Sequence, residues 1–137
     1  MKGKWASVAV LMAVATALLT QPSCAHNQHL VSISITPSSV TFLSPTTDIT
    51  FQLEAYGTYI HPPETRDITS QVTWQSLSTD LVVVTNAGVV STSQTGHCGI
   101  TAVTASVYTE SGNSDGNVVT GSATMTVVDS TVPVCPQ

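Results

Sequence analysis

The chain has 137 residues, of which 42% are hydrophobic, 5% aromatic and 8% charged, with a formal net charge of -5. Without Lys2 and Lys4 the charge becomes -7, and Arg66 is then the only lysine or arginine. Nucleic acids and anionic membrane surfaces are therefore excluded as expected partners, because their phosphates repel an acidic surface. The length is sufficient for one hydrophobic core, so one domain is expected.

The N-terminus is typical of an export signal. Lys2 and Lys4 precede an apolar run over residues 5–19, which is as long as a signal-peptide core and short for a bilayer span. We therefore assign residues 1–23 to a signal peptide and residues 24–29 to a tether. The domain proper is expected over residues 30–129, followed by a C-terminal tail over residues 130–137.

Cys24 determines whether the exported chain is anchored by a lipid. It follows the small residue Ser23 at the position where a bacterial lipoprotein carries its acylated cysteine. Lipidation would leave the protein anchored at the cell envelope or outer surface, and its only membrane contact would be the lipid. The alternative is ordinary cleavage after Ala25, which would leave a soluble periplasmic or secreted protein.

The first half of the domain alternates polar and apolar residues with period 2, which is typical of strands. Pro37 separates the strand patterns at residues 30–35 and 40–43 and predicts a first strand that crosses from one sheet to the other, because proline cannot continue a ladder. In the next pattern, residues 49–59, Phe51 and Leu53 share one face.

The second half continues this alternation. Val72 and Trp74 alternate with polar residues, and residues 81–85 and 89–92 flank the hairpin-sized turn Asn86-Ala87-Gly88. About seven short strands of this kind predict an all-β, immunoglobulin-like antiparallel sandwich. The residues that we assign to its core are Phe51, Leu53, Val72, Trp74, Val103, Met125 and Val127.

An ordered set of segments carries a family resemblance. The segments are V-S-I-S-I-T-P, F-Q-L-E-A-Y-G-T-Y, D-I-T-S-Q-V-T-W, N-A-G-V-V-S and G-S-A-T-M-T-V, in that order along residues 30–129. In this respect the chain resembles the group 2 bacterial immunoglobulin-like domain of intimin- and invasin-type surface proteins. The resemblance implies a sandwich that acts as a spacer or an adhesive module.

The predicted binding surface is the loop from Tyr59 to Arg66, which includes Ile60 and His61. Prolines at positions 62 and 63 make this loop rigid, and it carries the lone arginine. Asn113 and Asp115, in the loop over residues 111–117, form a second candidate. The alternative is that these loops only connect strands.

Catalytic, metal and cofactor sites are not predicted. His61, His97 and Asp67 could be combined with a serine into a triad, but no local nucleophile signature accompanies them. Alternation with Val72 favours a core position for Trp74 over a sugar-stacking role. The expected function is a noncatalytic surface module for adhesion or for binding a protein or glycan; the alternatives are a passive structural envelope protein and, more remotely, a secreted hydrolase.

Cys98 and Cys135 are predicted to form a disulfide. Lipidation consumes Cys24 and ordinary cleavage removes it, so either route leaves two thiols in an oxidising compartment. Cys98 precedes one predicted strand and Cys135 follows the next, so an antiparallel hairpin would bring the two cysteines together. The alternative is a pair of free thiols.

The processing of the N-terminus is directly testable. We expect the mature chain to begin with a diacylated or triacylated Cys24, because a single acyl chain binds membranes only marginally whereas two or three anchor stably. Mass spectrometry of the mature N-terminus measures this. An unmodified chain that begins at His26 would contradict lipidation.

Overall fold

The computed structural model describes residues 28–44, 49–93, 97–109, 116–129 and 135. The signal-peptide and lipidation predictions lie outside these residues. Within them the chain forms strands and no helix, and so contains no helix that could span a bilayer. The strands are β1 (His29–Thr36), β2 (Ser39–Ser44), β3 (Thr50–Gln52), β4 (Glu54–Ile60), β5 (Glu64–Asp67), β6 (Thr73–Ser76), β7 (Val82–Val84), β8 (Val89–Thr92), β9 (Gly99–Thr109) and β10 (Asn117–Asp129).

One layer of the fold is a four-stranded sheet of order β2-β10-β9-β6. Its centre is the long antiparallel pair of β9 and β10, in which Gly99 lies opposite Val127 and Thr109 opposite Asn117. Strand β6 pairs with the outer edge of β9, and β2 pairs with β10 in parallel orientation. The sheet is therefore antiparallel except for one edge strand.

The other layer combines the sheets β1-β4-β5 and β3-β8-β7. Strands β3 and β4 are separated only by Leu53, whose N–H donates to the Gly88 carbonyl at 2.8 Å. The N–H of Ala55, two residues on, donates to the Thr69 hydroxyl at 2.9 Å. N–H groups two residues apart point to the same side of a strand. Strands β8 and β5 therefore lie on one side of the continuous β3–β4 segment, and β1 lies on the other side. The all-β sandwich predicted from the sequence is confirmed.

The predicted crossing of the first strand is also confirmed. Strand β1 pairs with β4 in one layer, and β2 pairs with β10 in the other. The switch occurs at Pro37, between the two strands, where the missing N–H interrupts the ladder. The chain thereby joins the two layers within its first seventeen described residues, 28–44.

The core lies between the layers. Fully buried side chains from both of them meet there, including Leu53 and Val90 from one layer and Val103 and Met125 from the other. Of the seven residues predicted for the core, six are buried: Leu53, Val72, Trp74, Val103, Met125 and Val127.

Phe51 corrects the predicted core. Its side chain is 37% exposed and meets the buried ring of Phe42 edge-on, with 5.2 Å between ring centroids. Alternation identifies the face on which a side chain lies, but not how far that position is from the rim of the sandwich. Phe51 lies on the expected strand, in the three-residue β3, where all the side chains are exposed.

Close contact between the layers depends on Gly121. A Cβ atom at this position of β10 would lie 2.5 Å from the Ile33 carbonyl oxygen of β1. That oxygen belongs to the backbone and cannot rotate away, so only glycine permits the observed approach of the two strands.

We expect Gly121→Ala to destabilise the fold by about 2 kcal/mol, because the added methyl group forces β1 away from β10. Chemical denaturation of the purified chain measures this difference. The control is Ser122→Ala, an exposed position on the same strand, which should change the free energy of unfolding by less than about 0.5 kcal/mol. Equal stability of Gly121→Ala and the wild type would show that β1 can shift without cost.

Candidate functional site

The segment that follows β5 forms a turn in which Asp67 and Thr69 are held by hydrogen bonds. The Asp67 carboxylate accepts the Thr69 N–H at 2.8 Å. Hydrogen bonds from the Thr69 hydroxyl and then from its N–H hold the pKa of Asp67 below its ordinary value. The Thr69 hydroxyl also accepts the Ala55 N–H, so it joins β4 to the turn. The turn is therefore fixed by hydrogen bonds to the sheet and within itself.

Trp74 anchors the same turn from the core. Its indole N–H donates to the Thr69 carbonyl at 3.1 Å, and its side chain is only 7% exposed. A buried indole N–H needs a partner, and this carbonyl supplies it. The structure thus assigns Trp74 to the core and not to a sugar-stacking surface.

The Asn86-Ala87-Gly88 turn forms a facing wall. The Gly88 N–H donates to the Thr85 carbonyl at 2.9 Å, and Gly88 has a φ of 79°. A Cβ atom here would lie 2.6 Å from the Leu53 carbonyl oxygen and 3.0 Å from Cζ2 of Trp74. Both the left-handed conformation and the lack of space require glycine. The hairpin predicted from the sequence is confirmed by the pairing of β7 with β8.

Between these two turns lies an open cleft of about 550 Å³, lined by Asp67, Thr69, Ser70, Asn86 and Ala87. In the described part of the chain, no hydrogen bond engages the Ser70 or Asn86 side chain. The cleft thus presents a carboxylate, an amide and hydroxyl groups to solvent. Such groups can exchange hydrogen bonds with a hydroxylated or amide-rich ligand, and they include no activated nucleophile.

The predicted loop from Tyr59 to Arg66 is a β-hairpin. Strand β4 continues to Ile60 and β5 begins at Glu64, so only three residues connect them. The alternation rule could not identify β5, because all four of its residues are exposed. His61 begins the turn with a φ of 62°, in the left-handed region that is uncommon outside glycine.

The binding residues predicted on this hairpin are not equally accessible. Tyr59 is 8% exposed, and the Arg66 guanidinium carbon lies 4.0 Å from the centroid of its ring. This cation–π contact uses the lone arginine to cover the ring of Tyr59. Ile60 and His61 are exposed at the hairpin tip. The second candidate pair, Asn113 and Asp115, lies outside the described residues.

The residues considered for a triad are not brought together. His61 lies at the hairpin tip, whereas Asp67 pairs with Tyr56, five residues back along β4 and so about 16 Å away. His97 lies just before β9, and its Nδ1 contacts the Asp80 carbonyl oxygen at 3.3 Å. Within the described ranges, no three His, Cys, Asp or Glu side chains are grouped as metal ligands would be.

The predicted disulfide is present. Cys98 and Cys135 are bonded, with 5.4 Å between their Cα atoms and 37 positions between them in sequence. The antiparallel register places Gly99 opposite Val127, so the start of β9 and the end of β10 lie side by side, as the prediction required. A loop of this length restricts the unfolded chain by about 4 kcal/mol in the chain-entropy model.

Comparisons with known proteins give no match, either to a protein-family model or to a curated protein. The family resemblance therefore rests on the ordered segments of the sequence. Ser70 and Asn86 were not predicted as binding residues. Asn86 lies in a turn signal that has a purely structural interpretation, and Ser70 lies in a segment that carried only the family resemblance. The sequence contains no signal that these two turns face each other across a cleft.

The hydrogen bonds to Asp67 generate a pH dependence. Because the folded-state pKa is lowered, they stabilise the fold above the unfolded pKa, near 3.8, and this contribution is lost as the pH falls through the folded value. Asp67→Asn should therefore lower the melting temperature at neutral pH, and its deficit relative to the wild type should shrink in acid. Thermal unfolding across pH 7 to about 2 measures this.

The matched control is Asp80→Asn, which changes the charge equally at an exposed site outside the turn. It should leave the melting temperature nearly unchanged at neutral pH. A deficit of Asp67→Asn that stays constant down to the acid limit would mean that the carboxylate charge contributes nothing to the turn.

Proposed function

We propose that the chain is a noncatalytic binding module of the cell surface or envelope, related to the group 2 bacterial immunoglobulin-like domains and anchored by lipid at Cys24. The observation that supports this is the cleft between the 67–70 and 86–87 turns, whose walls are fixed and whose Ser70 and Asn86 side chains have no partner among the described residues. A protein surface loop or a glycan would be its ligand.

Rigidity favours binding at this position. One wall is fixed by the hydrogen bonds that join Asp67 to Thr69 and Thr69 to Ala55. The other is fixed by Gln52, whose amide donates to the Ala87 carbonyl at 2.8 Å and to the Leu53 carbonyl at 2.7 Å. A ligand that enters the cleft would not have to order either wall, so little binding energy would be lost to conformational entropy.

Charge narrows the choice of ligand. Asp67 lies in the cleft, and Glu54, which accepts a hydrogen bond from the Tyr56 hydroxyl at 2.8 Å, lies on the neighbouring strand. These carboxylates would repel sulfated, sialylated or phosphorylated ligands. Neutral glycans and uncharged or basic peptide segments are the compatible classes.

Orientation distinguishes the cleft from the hairpin tip. His29 at the start of β1 pairs with Ile60, so the tip lies at the same end of the sandwich as the N-terminus. Only residues 25–28 separate Cys24 from β1, a reach of about 15 Å. A lipid at Cys24 would therefore turn the hairpin tip towards the membrane. The cleft lies beyond the other end of β4, about 20 Å from the tip, and would face outward. The cleft is thus the better placed of the two for an external ligand.

The test is a comparison of the cleft and the tip. We expect the double variant Ser70→Ala and Asn86→Ala to lose at least about tenfold in affinity for arrayed neutral glycans or uncharged peptides, because two hydrogen-bonding groups are removed. The matched variant Ile60→Ala and His61→Ala should retain wild-type binding. Surface plasmon resonance with the glycans or peptides that the wild-type chain binds on the array measures the affinities of both variants.

Two results would overturn the proposal. Binding that survives the cleft variant and disappears in the tip variant would move the contact surface to the hairpin. A correctly folded wild-type chain that binds no arrayed glycan or peptide would favour the alternative, a passive structural protein of the envelope.

A further inference from the structure

Among the described residues, the outer face of the β2-β10-β9-β6 sheet carries no aspartate, glutamate, lysine, arginine or histidine. We call the outward residues of these strands the neutral face. They alternate with the buried ones and are Ser39, Thr41 and Leu43 on β2, Val118, Thr120, Ser122, Thr124, Thr126 and Val128 on β10, Ile100, Ala102, Thr104, Ser106 and Tyr108 on β9, and Thr73, Gln75 and Leu77 on and just after β6.

The charges of the described residues lie elsewhere. Glu54, Glu64, Arg66 and Asp67 are on β4 and β5, in the opposite layer. Asp80 precedes β7 of that layer. Asp129, the one acid on β10, is 3% exposed and on the inward-facing side of its strand. Among the described residues, the exposed acidic side chains that would repel a second copy therefore lie in one layer and not on the neutral face.

Exposed aliphatic side chains run across the neutral face near the disulfide end. Leu43 and Val128 are cross-strand neighbours with 64% and 40% of their side chains exposed. Ile100 on β9 is 55% exposed. Leu77, 67% exposed, extends the row because its N–H donates to the Ala102 carbonyl at 2.9 Å. Each of β2, β10 and β9, and the residue that follows β6, thus contributes one aliphatic group to a row of adjacent and diagonal cross-strand neighbours, a pattern that marks interaction surfaces.

Two hydroxyl groups in the middle of the face, those of Thr104 and Ser106, cost little to bury. Thr104 donates to the Gln75 carbonyl at 3.3 Å, and Ser106 donates to the Thr73 carbonyl at 3.4 Å. These hydroxyls already have an acceptor within their own sheet. A second apolar or hydroxylated surface could therefore cover them without leaving an unpaired donor.

We infer that the neutral face binds the neutral face of a second copy, so that two sandwiches pack sheet against sheet as a twofold dimer. The face measures roughly 500 Å² per copy from strand spacing and rise. A dimer would thus bury about 1,000 Å² in total, the lower bound for a specific interface. The dimer leaves the acidic layer and the cleft of each copy on the outside, so it adds to the proposed function without depending on it.

The test uses the exported full chain carrying Cys24→Ser, which cannot be acylated. Sedimentation velocity over micromolar to submillimolar concentrations should show a reversible monomer–dimer equilibrium. Added salt should tighten it, because salt screens the repulsion between two acidic copies. Thr124→Glu, at the centre of the face, should raise the dissociation constant by at least about tenfold, since it buries like charges.

The matched control is Thr65→Glu, which adds the same charge to the exposed β5 of the opposite layer and should leave the dimer unchanged. Near-ultraviolet circular dichroism of Trp74 verifies that each variant is folded. A wild-type chain that remains monomeric throughout the concentration range would overturn the inference. So would a dimer that Thr65→Glu weakens as much as Thr124→Glu does.

Discussion

The fold depends on how Trp74 is buried. Its indole ring lies between the 67–70 turn and the 86–88 turn: the N–H donates to the Thr69 carbonyl, and Cζ2 lies 3.0 Å from the point where a Cβ atom on Gly88 would stand. One large side chain thereby positions two connections from different parts of the chain. Because the N–H has a partner, burial of the ring does not leave a polar group unsatisfied in the core. The same two turns line the cleft, so the ring packs against the turns that form both of its walls.

The segment D-I-T-S-Q-V-T-W therefore has a physical explanation that is independent of any family resemblance. Asp67 and Thr69 close the turn, and Ile68 is 1% exposed and fills the core. Val72, just before β6, and Trp74, in β6, are both buried. This mutual dependence is why the ordered motif predicts the sandwich more reliably than any one of its residues does.

The sequence predicted those parts of the fold that short-range patterns determine. Alternation identified the buried faces of the strands, Pro37 identified the change of sheet, and the cysteine arithmetic identified the Cys98–Cys135 bond. It missed β5 because an edge strand with both faces in solvent has no hydrophobic period. It misjudged Phe51 because depth within a sandwich depends on distant strands. The cleft could not be predicted for the same reason, since Ser70 and Asn86 are sixteen residues apart and meet only through tertiary structure.

The two layers differ in a way that composition alone hides. The acidic net charge belongs, among the described residues, to the exposed surface of one layer, whereas the other presents only hydroxyl, amide, aromatic and aliphatic groups. Retaining a charge-free face costs solubility, because charged surfaces keep proteins apart, so such a face is expected where contact is useful. The edge strand β5, by contrast, carries Glu64, Arg66 and Asp67, which discourage pairing with a further strand. Charge thus opposes association at this edge of the sandwich and permits it across the neutral face. We therefore expect any assembly of this domain to pack sheet against sheet.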